Sequence, residues 1–169
     1  MSEKETREYA EKLAKQLIKE SPLGVELSDS QCATLAGIIK VAGLREGDYL
    51  LQEGQFDDSL HVVVSGKLEV VKSDQGGEQV TLAVLHPGDL AGELGFVDGA
   101  PHSAGLRALG ECEVFNIHRA EFEALIPKDP DLVYKVMRAV MRTVHRILRR
   151  MNFQYTQLTD YILHQHGRY

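Results

Sequence analysis

The 169-residue sequence contains no tryptophan and two cysteines, and its apolar runs fall well short of the roughly 18 residues a membrane-spanning helix needs. The start, MSEKETREYAEKL, lacks the apolar core of a secretory leader, so the expectation is a cytoplasmic protein with no membrane attachment. Cys32 and Cys112 lie far apart, each in an apolar pattern, which reads as two reduced, structural thiols. No P-loop, serine–histidine–acid elbow or paired zinc spacing occurs, so neither a catalytic nor a metal site is expected. Positive charge is also scarce where it would matter for nucleic acid. From residue 44 to 127, five basic residues face fifteen acidic ones, a surface hostile to a phosphate backbone. From Lys128 to Arg150 the sign reverses, giving the solvated flank of a helix or a surface for an acidic partner.

What is present is ordered along the chain. Tyr9, Leu13, Leu17 and Ile18 recur at helical spacing, predicting a helix over Glu3 to Glu20 that ends at Ser21-Pro22-Leu23-Gly24. Ser28 is an N-cap for a second helix running through Leu35, Ile38 and Ile39 to Gly43. The texture then changes to short β-rich runs: Tyr49–Leu51, Leu60–Val64, Lys67–Lys72, Val80–Leu85, Ser103–Leu109 and Cys112–Ile117. Glycine turns separate them, and the alternation at Leu68-Val70 and Leu82-Val84 points one face into a core. Such spacing argues for a sandwich or jelly roll. The expected organisation is one domain over 1–169: helices over 1–43, a roll over 44–118 and C-terminal helices over 119–165.

Helix resumes at Arg119, breaks at Pro127 and restarts after Asp129-Pro130. There Val133, Met137, Val140, Val144, Ile147, Met151, Tyr155, Leu158 and Ile162 step by three and four, with one slip after Met151. That is an a/d seam, the pattern of a two-helix homodimer; Val136, Met141 and Leu148 widen the apolar face, and the alternative is a helix folded onto its own sandwich. His164-Gln165-His166 falls in a polar tail and is read as tail rather than as a metal site.

The stretch from His86 to Ala108 looks built to hold something. A strand delivers the chain into Pro87-Gly88-Asp89; then Gly92, with no side chain, lets backbone approach a ligand. A short helical turn from Gly92 would aim N–H groups at an anion, Glu93 could accept from sugar hydroxyls, and Leu94 follows. After Asp98-Gly99-Ala100-Pro101, His102 and Ser103 return towards that cradle.

This order of parts resembles the phosphate-binding cassette of cyclic-nucleotide-binding domains, as in the catabolite activator family and protein kinase A regulatory subunits. Gly88-Asp89, Gly92-Glu93-Leu94, Pro101, Ser103-Ala104 and Ala108 carry the resemblance, with Gly47-Asp48, Glu53-Gly54 and Val64-Ser65-Gly66 upstream. It implies a mainly β double-stranded jelly roll with N-terminal helices and a long C-terminal helix. It also implies a nucleotide cradle at Gly92, Glu93, Leu94, His102 and Ser103, and a dimer helix using Val133, Met137, Val140, Val144, Ile147 and Met151. The family places an arginine where this sequence has His102, so the cassette is expected to be degenerate. An arginine is a permanently charged fork; an imidazole is shorter and titrates near neutrality. Arg107 is five residues on, at odd parity, so a regular strand turns it to the other face. Where bacterial members read adenine with a Thr-Ser pair, this helix has Ile147 and Leu148.

Transcription factors of the family continue into a winged helix-turn-helix, for which the residues after Met151 leave no room, so no sequence-specific DNA binding by this chain alone is expected. The reading is a dimeric sensor or interaction module, not an enzyme, with an unnamed protein partner. Alternatives are a true cyclic AMP or cyclic GMP signalling protein, a module for another small anionic ligand, and a metal-binding cupin; the last lacks a histidine–glutamate strand motif.

Overall fold

The computed structural model describes residues 3–166. Helix α1 (Glu3–Glu20) ends at Ser21, whose hydroxyl donates to the Ile18 carbonyl at 2.8 Å, and one 3₁₀ turn at Pro22–Gly24 follows. Helix α2 (Asp29–Ala36) opens on a capping box. The Gln31 N–H donates to Ser28 Oγ at 3.2 Å, and the Ser28 N–H donates to Gln31 Oε1 at 3.1 Å.

Eight strands then make two antiparallel four-stranded sheets. They are β1 (Ile39–Leu44), β2 (Tyr49–Leu51), β3 (Ser59–Ser65), β4 (Leu68–Ser73), β5 (Gln79–Leu85), β6 (Leu90–Ala91), β7 (Gly105–Ala108) and β8 (Cys112–His118). One sheet runs β1-β8-β3-β6 and the other β2-β7-β4-β5, so neighbours in space come from distant parts of the chain, as in a jelly roll.

The packing has two layers. Leu51, Val63, Leu68, Leu85, Leu106 and Val114 fill the space between the sheets. Leu60, Val62, Phe115 and Ile117, on the opposite face of the first sheet, pack against Ile18, Leu35, Phe122, Leu132 and Val136 of the helices. Burying such side chains contributes roughly 1.5–3 kcal/mol each relative to exposure. Cys32 and Cys112 are both buried and unpaired, and burial pushes both thiols up, which keeps them protonated and unreactive.

Three features depart from expectation. Ile39–Leu44 is a strand rather than the end of the second helix, so the roll begins at residue 39 and not at 44. The helix stops at Gly37, and β-branched Ile39 gains more by pairing with Ile117 of β8, from where it packs against the helix-side core. The alternation at Leu82-Val84 does not mark a core face: Leu82 is 55% exposed. Val70 pairs with Ala83 and Val71 with Thr81, so Leu82 is the extra residue of a bulge on β5, which breaks that strand's own two-residue period. Two-residue β6 carries no periodic signal at all, yet both its side chains are buried against β3.

Helix α4 (Arg119–Glu123) leads to Pro127, and α5 (Pro130–His166) is one 37-residue helix, about 55 Å long. Asp129 caps it, accepting from the Leu132 N–H at 2.9 Å, and Pro130 occupies the first helical position. The stretch after Met151 is therefore helical through His166. His164-Gln165-His166, read from the sequence as polar tail, is the end of this helix, and the described side chains end at His164. Leu132, Val136, Ala139, Val140 and Thr143 turn into the domain's own core. Glu26 ties α5 down from the side, accepting from Arg138 Nε at 2.8 Å and also pairing with Arg142. No helix among the described residues is long and apolar enough to cross a membrane.

Candidate functional site

Strand β5 ends in a tight turn: the His86 N–H donates to Asp89 Oδ2 at 2.8 Å and the Asp89 N–H to the His86 carbonyl at 2.9 Å. Strand β6 then carries the chain straight into α3 (Glu93–Asp98). Gly92 is the N-cap of α3 with φ +75°, in the left-handed region that disfavours any side chain. A Cβ there would lie 2.7 Å from the Ser59 carbonyl oxygen and 3.1 Å from the His61 ring, so the position has neither the conformation nor the room for one. Gly95, one turn on, lacks only the room: its Cβ would meet the Asp57 carbonyl at 2.7 Å and the His102 ring at 3.0 Å.

The structure brings Gly92, Glu93, Leu94 and His102 together around α3. Glu93 is half-buried, and burial raises its carboxyl above the usual range, opposed only by its own backbone N–H. Leu94 points out and is 58% exposed. His102 is fixed by its backbone: its N–H donates to the Gln55 carbonyl at 2.9 Å, and its carbonyl accepts from Gly54 at 2.8 Å. Its ring rests on α3, with Nε2 buried and without a hydrogen-bond partner. Ser103 is exposed, and its carbonyl accepts from Lys72 Nζ at 3.1 Å.

Among the described residues no arginine takes the place of the missing one. Arg107 lies on the outer side of its sheet, donating from Nε to Glu69 Oε1 at 2.6 Å, in agreement with the parity argument. Arg119 does approach α3, but at its far end, where its guanidinium would be 3.1 Å from a Cβ on Gly99. A cation there complements the carbonyl end of the helix rather than an anion at its start.

Two elements of the site carry no sequence motif. His61, on β3, is 3% exposed and stands directly under Gly92, with Nε2 3.4 Å from Asp57 Oδ1. That ring, together with the Ser59 N–H at 2.7 Å, holds the Asp57 carboxyl down at about 2. Phe96 of α3 packs on Phe122 of α4, ring centroids 5.4 Å apart, and so links the cassette to the segment that leads into α5. A cavity of about 300 Å³ opens beside this region between β2, β4, β5 and β7, lined by Tyr49, Glu53, Val71, Ser73 and Gln79; no cassette side chain lines it.

On α5, Val140 is taken into the domain's own core. Val133 and Met137 pack half-buried along its edge, Val144 and Ile147 are half-buried, and Met151 and Leu148 are exposed. Among the described residues no group of three or more histidine, cysteine or acidic side chains is arranged to hold a metal.

Two antiparallel sheets with a short glycine-capped helix between β6 and β7 make this chain a jelly roll. The model of the cyclic nucleotide-binding domain matches residues 43–129, half of the chain, and the chain belongs to that family. It is 34% identical over 94 residues to the cAMP-activated global transcriptional regulator CRP of Salmonella typhimurium, covering 55% of this chain and 45% of that protein. The chain therefore spans about half the length of the curated relatives it matches. The Thermus thermophilus catabolite activator protein superposes with a TM-score of 0.70 at 27% identity, over 82% of this chain and 63% of that one. A cyclic nucleotide-binding domain from Methylobacillus flagellatus superposes with a TM-score of 0.76 at 21% identity, over 83% and 81%, a likeness of fold alone.

Proposed function

We propose that this domain is a dimeric regulatory or sensor module whose cassette captures a phosphate-bearing small ligand only weakly at neutral pH. The observation that carries the reading is His102 in the family's arginine position, its Nε2 buried and unpartnered. Loss of a charge-assisted pair removes about 1.5–3 kcal/mol, and about 1.4 kcal/mol is tenfold, so micromolar affinity moves towards millimolar. Ile147 and Leu148 offer no hydrogen bond to a purine edge. The test is calorimetry with cyclic AMP and cyclic GMP on the wild type and His102→Arg. The expected result is weak wild-type binding and a gain of roughly tenfold or more in the variant. Micromolar binding by the wild type would refute the degenerate cassette; no binding by either protein would favour a pure interaction module.

The second half of the reading is the dimer. The core-facing residues of α5 centre on Val136 and Thr143, while Val133, Met137, Val144, Ile147, Met151, Tyr155, Leu158 and Ile162 form a stripe about 100° further round the helix. That second stripe continues past the end of the domain, where Met151, Tyr155, Leu158 and Ile162 are all exposed. Heptad-like spacing is what a second identical helix requires. Occupancy reaches this helix through Phe96, Phe122 and the Pro127–Pro130 joint, provided the ligand prefers one arrangement of the joint. Sedimentation velocity on the wild type and on Met151→Glu separates a dimer from a monomer.

A further inference from the structure

The inner face of the first sheet is polar just below the cassette, where the rest of the roll is apolar. His61 is buried; its Nε2 faces Asp57 Oδ1 at 3.4 Å, and its Nδ1 has no hydrogen-bond partner. Its register partner on β8, Asn116, shares that face, and the Asn116 Oδ1 is buried and unpartnered as well. On the other side His61 pairs with Ala91 of β6, the residue before Gly92, so the imidazole sits between strand and cradle. Buried polar atoms nearly always find partners, and two unpartnered atoms, on neighbouring side chains under one glycine cradle, mark a place for a group the chain does not supply. His102 adds a third buried, unpartnered atom at the next turn of α3.

We propose that His61, acting with His102, is a ligand-binding residue of this cassette, and that capture of a phosphate-bearing ligand is coupled to uptake of a proton. The proposal rests on the reading of the cassette as an anion site. A neutral imidazole offers one N–H and no charge; an imidazolium offers two donors and a cation. The charge that an arginine would carry permanently is here supplied by solvent protons. The charged and titratable groups around the pair fit this scheme. Asp57 stands beside His61, its Oδ1 3.4 Å from Nε2. His118 on β8 is bonded to Ser59 Oγ at 2.7 Å and lies 3.9 Å from Asp58, so it is already partnered. Glu93 on α3 is the remaining group at the cradle, and Glu53, Lys72 and Arg119 lie on the segments flanking His102 and Gly99, bonded to Ser73, Ser103 and Glu123 respectively.

The test is calorimetry of the whole chain with cyclic AMP as the probe, at about pH 6 and about pH 8, in two buffers of different ionisation enthalpy. One coupled proton yields up to tenfold in affinity per pH unit. Binding is expected to be at least about tenfold tighter at the lower pH, with a buffer-dependent heat that reports proton uptake. His61→Gln and His102→Gln should each flatten the dependence, whereas Glu93→Gln should leave it in place, separating the histidines from the one carboxyl that could also take up a proton. If His61→Gln fails to fold, imidazole NMR of the wild type gives the same answer: the His61 ring should become protonated on addition of the probe near neutral pH. Equal affinity at both pH values, or an unchanged His61 ring on binding, overturns proton coupling and leaves the anion site standing. No binding of cyclic AMP or of pyrophosphate at either pH overturns both.

Discussion

Replacing Gly92 by alanine measures how tightly the cradle is built, provided the backbone contribution is removed by a matched control. Gly88 is that control. Its φ is +89°, close to the +75° of Gly92, but a Cβ there meets nothing within 4 Å. Forcing an alanine into the left-handed region costs about 1–2 kcal/mol at either site. Only at Gly92 does the methyl also press on the Ser59 carbonyl at 2.7 Å and the His61 ring at 3.1 Å. Overpacking of that kind adds about 1–3 kcal/mol, because a backbone oxygen in a paired strand cannot swing aside. For a chain of this size each kcal/mol shifts the melting temperature by about 2–4 °C. Gly92→Ala is therefore expected to melt about 2–12 °C below Gly88→Ala in the same differential scanning calorimetry run. Equal melting temperatures would mean that the floor under Gly92 yields freely, and the argument for a rigid, preformed cradle would be wrong.

Further outcomes follow from the same geometry. Because burial raises the Glu93 carboxyl, its ionised form opposes folding; stability is greatest below the ordinary carboxylate range and falls as pH rises through the raised value. Glu93→Gln should thus melt higher than wild type at neutral pH, with the gap closing in acid, while its binding of cyclic nucleotide weakens. Asp57 has the opposite sign. Held at about 2, it contributes stability that is complete above about pH 4 and lost as pH falls towards 2, so the deficit of Asp57→Asn in a pH series of melting curves should vanish over that window. Val140→Ala, which empties a core position, should lose about 2 kcal/mol in urea titrations without changing the proposed dimer, whereas Met151→Glu should dissociate that proposed dimer and leave the domain's own melting nearly unchanged. An unchanged sedimentation coefficient for Met151→Glu would place the dimer contact elsewhere.

The parts legible in the sequence were those whose cause is local. Ser28 and Gln31 announce a helix start because the capping box is a four-residue device, and Pro87-Gly88 announces a turn because its backbone demands are met within the turn. The glycines of the cassette were legible for the same reason. Ile39 misled because the choice between helix and strand was made by a partner, Ile117, far along the chain. Leu82 misled because it is the extra residue of a bulge on β5, which is set by the register against β4 and not by the alternation around it. His61, followed by Val62 and Val63, carries no motif of its own in the strand from Leu60 to Val64. Its meaning depends on Gly92 and Asn116 arriving beside it, and three segments of chain must meet before that is visible.

The continuity of α5 has a mechanical consequence. Its last fixed point in the core is Thr143, and the described helix runs on to His166, roughly 35 Å further, without a proline or a break. A lever of that length magnifies whatever happens at its root. A tilt of about 10° where the rod leaves the domain carries the tip sideways by roughly 6 Å, more than one helical turn. A rearrangement too small to disturb the packing around Phe122 could thus be felt at the far end as a change of neighbour.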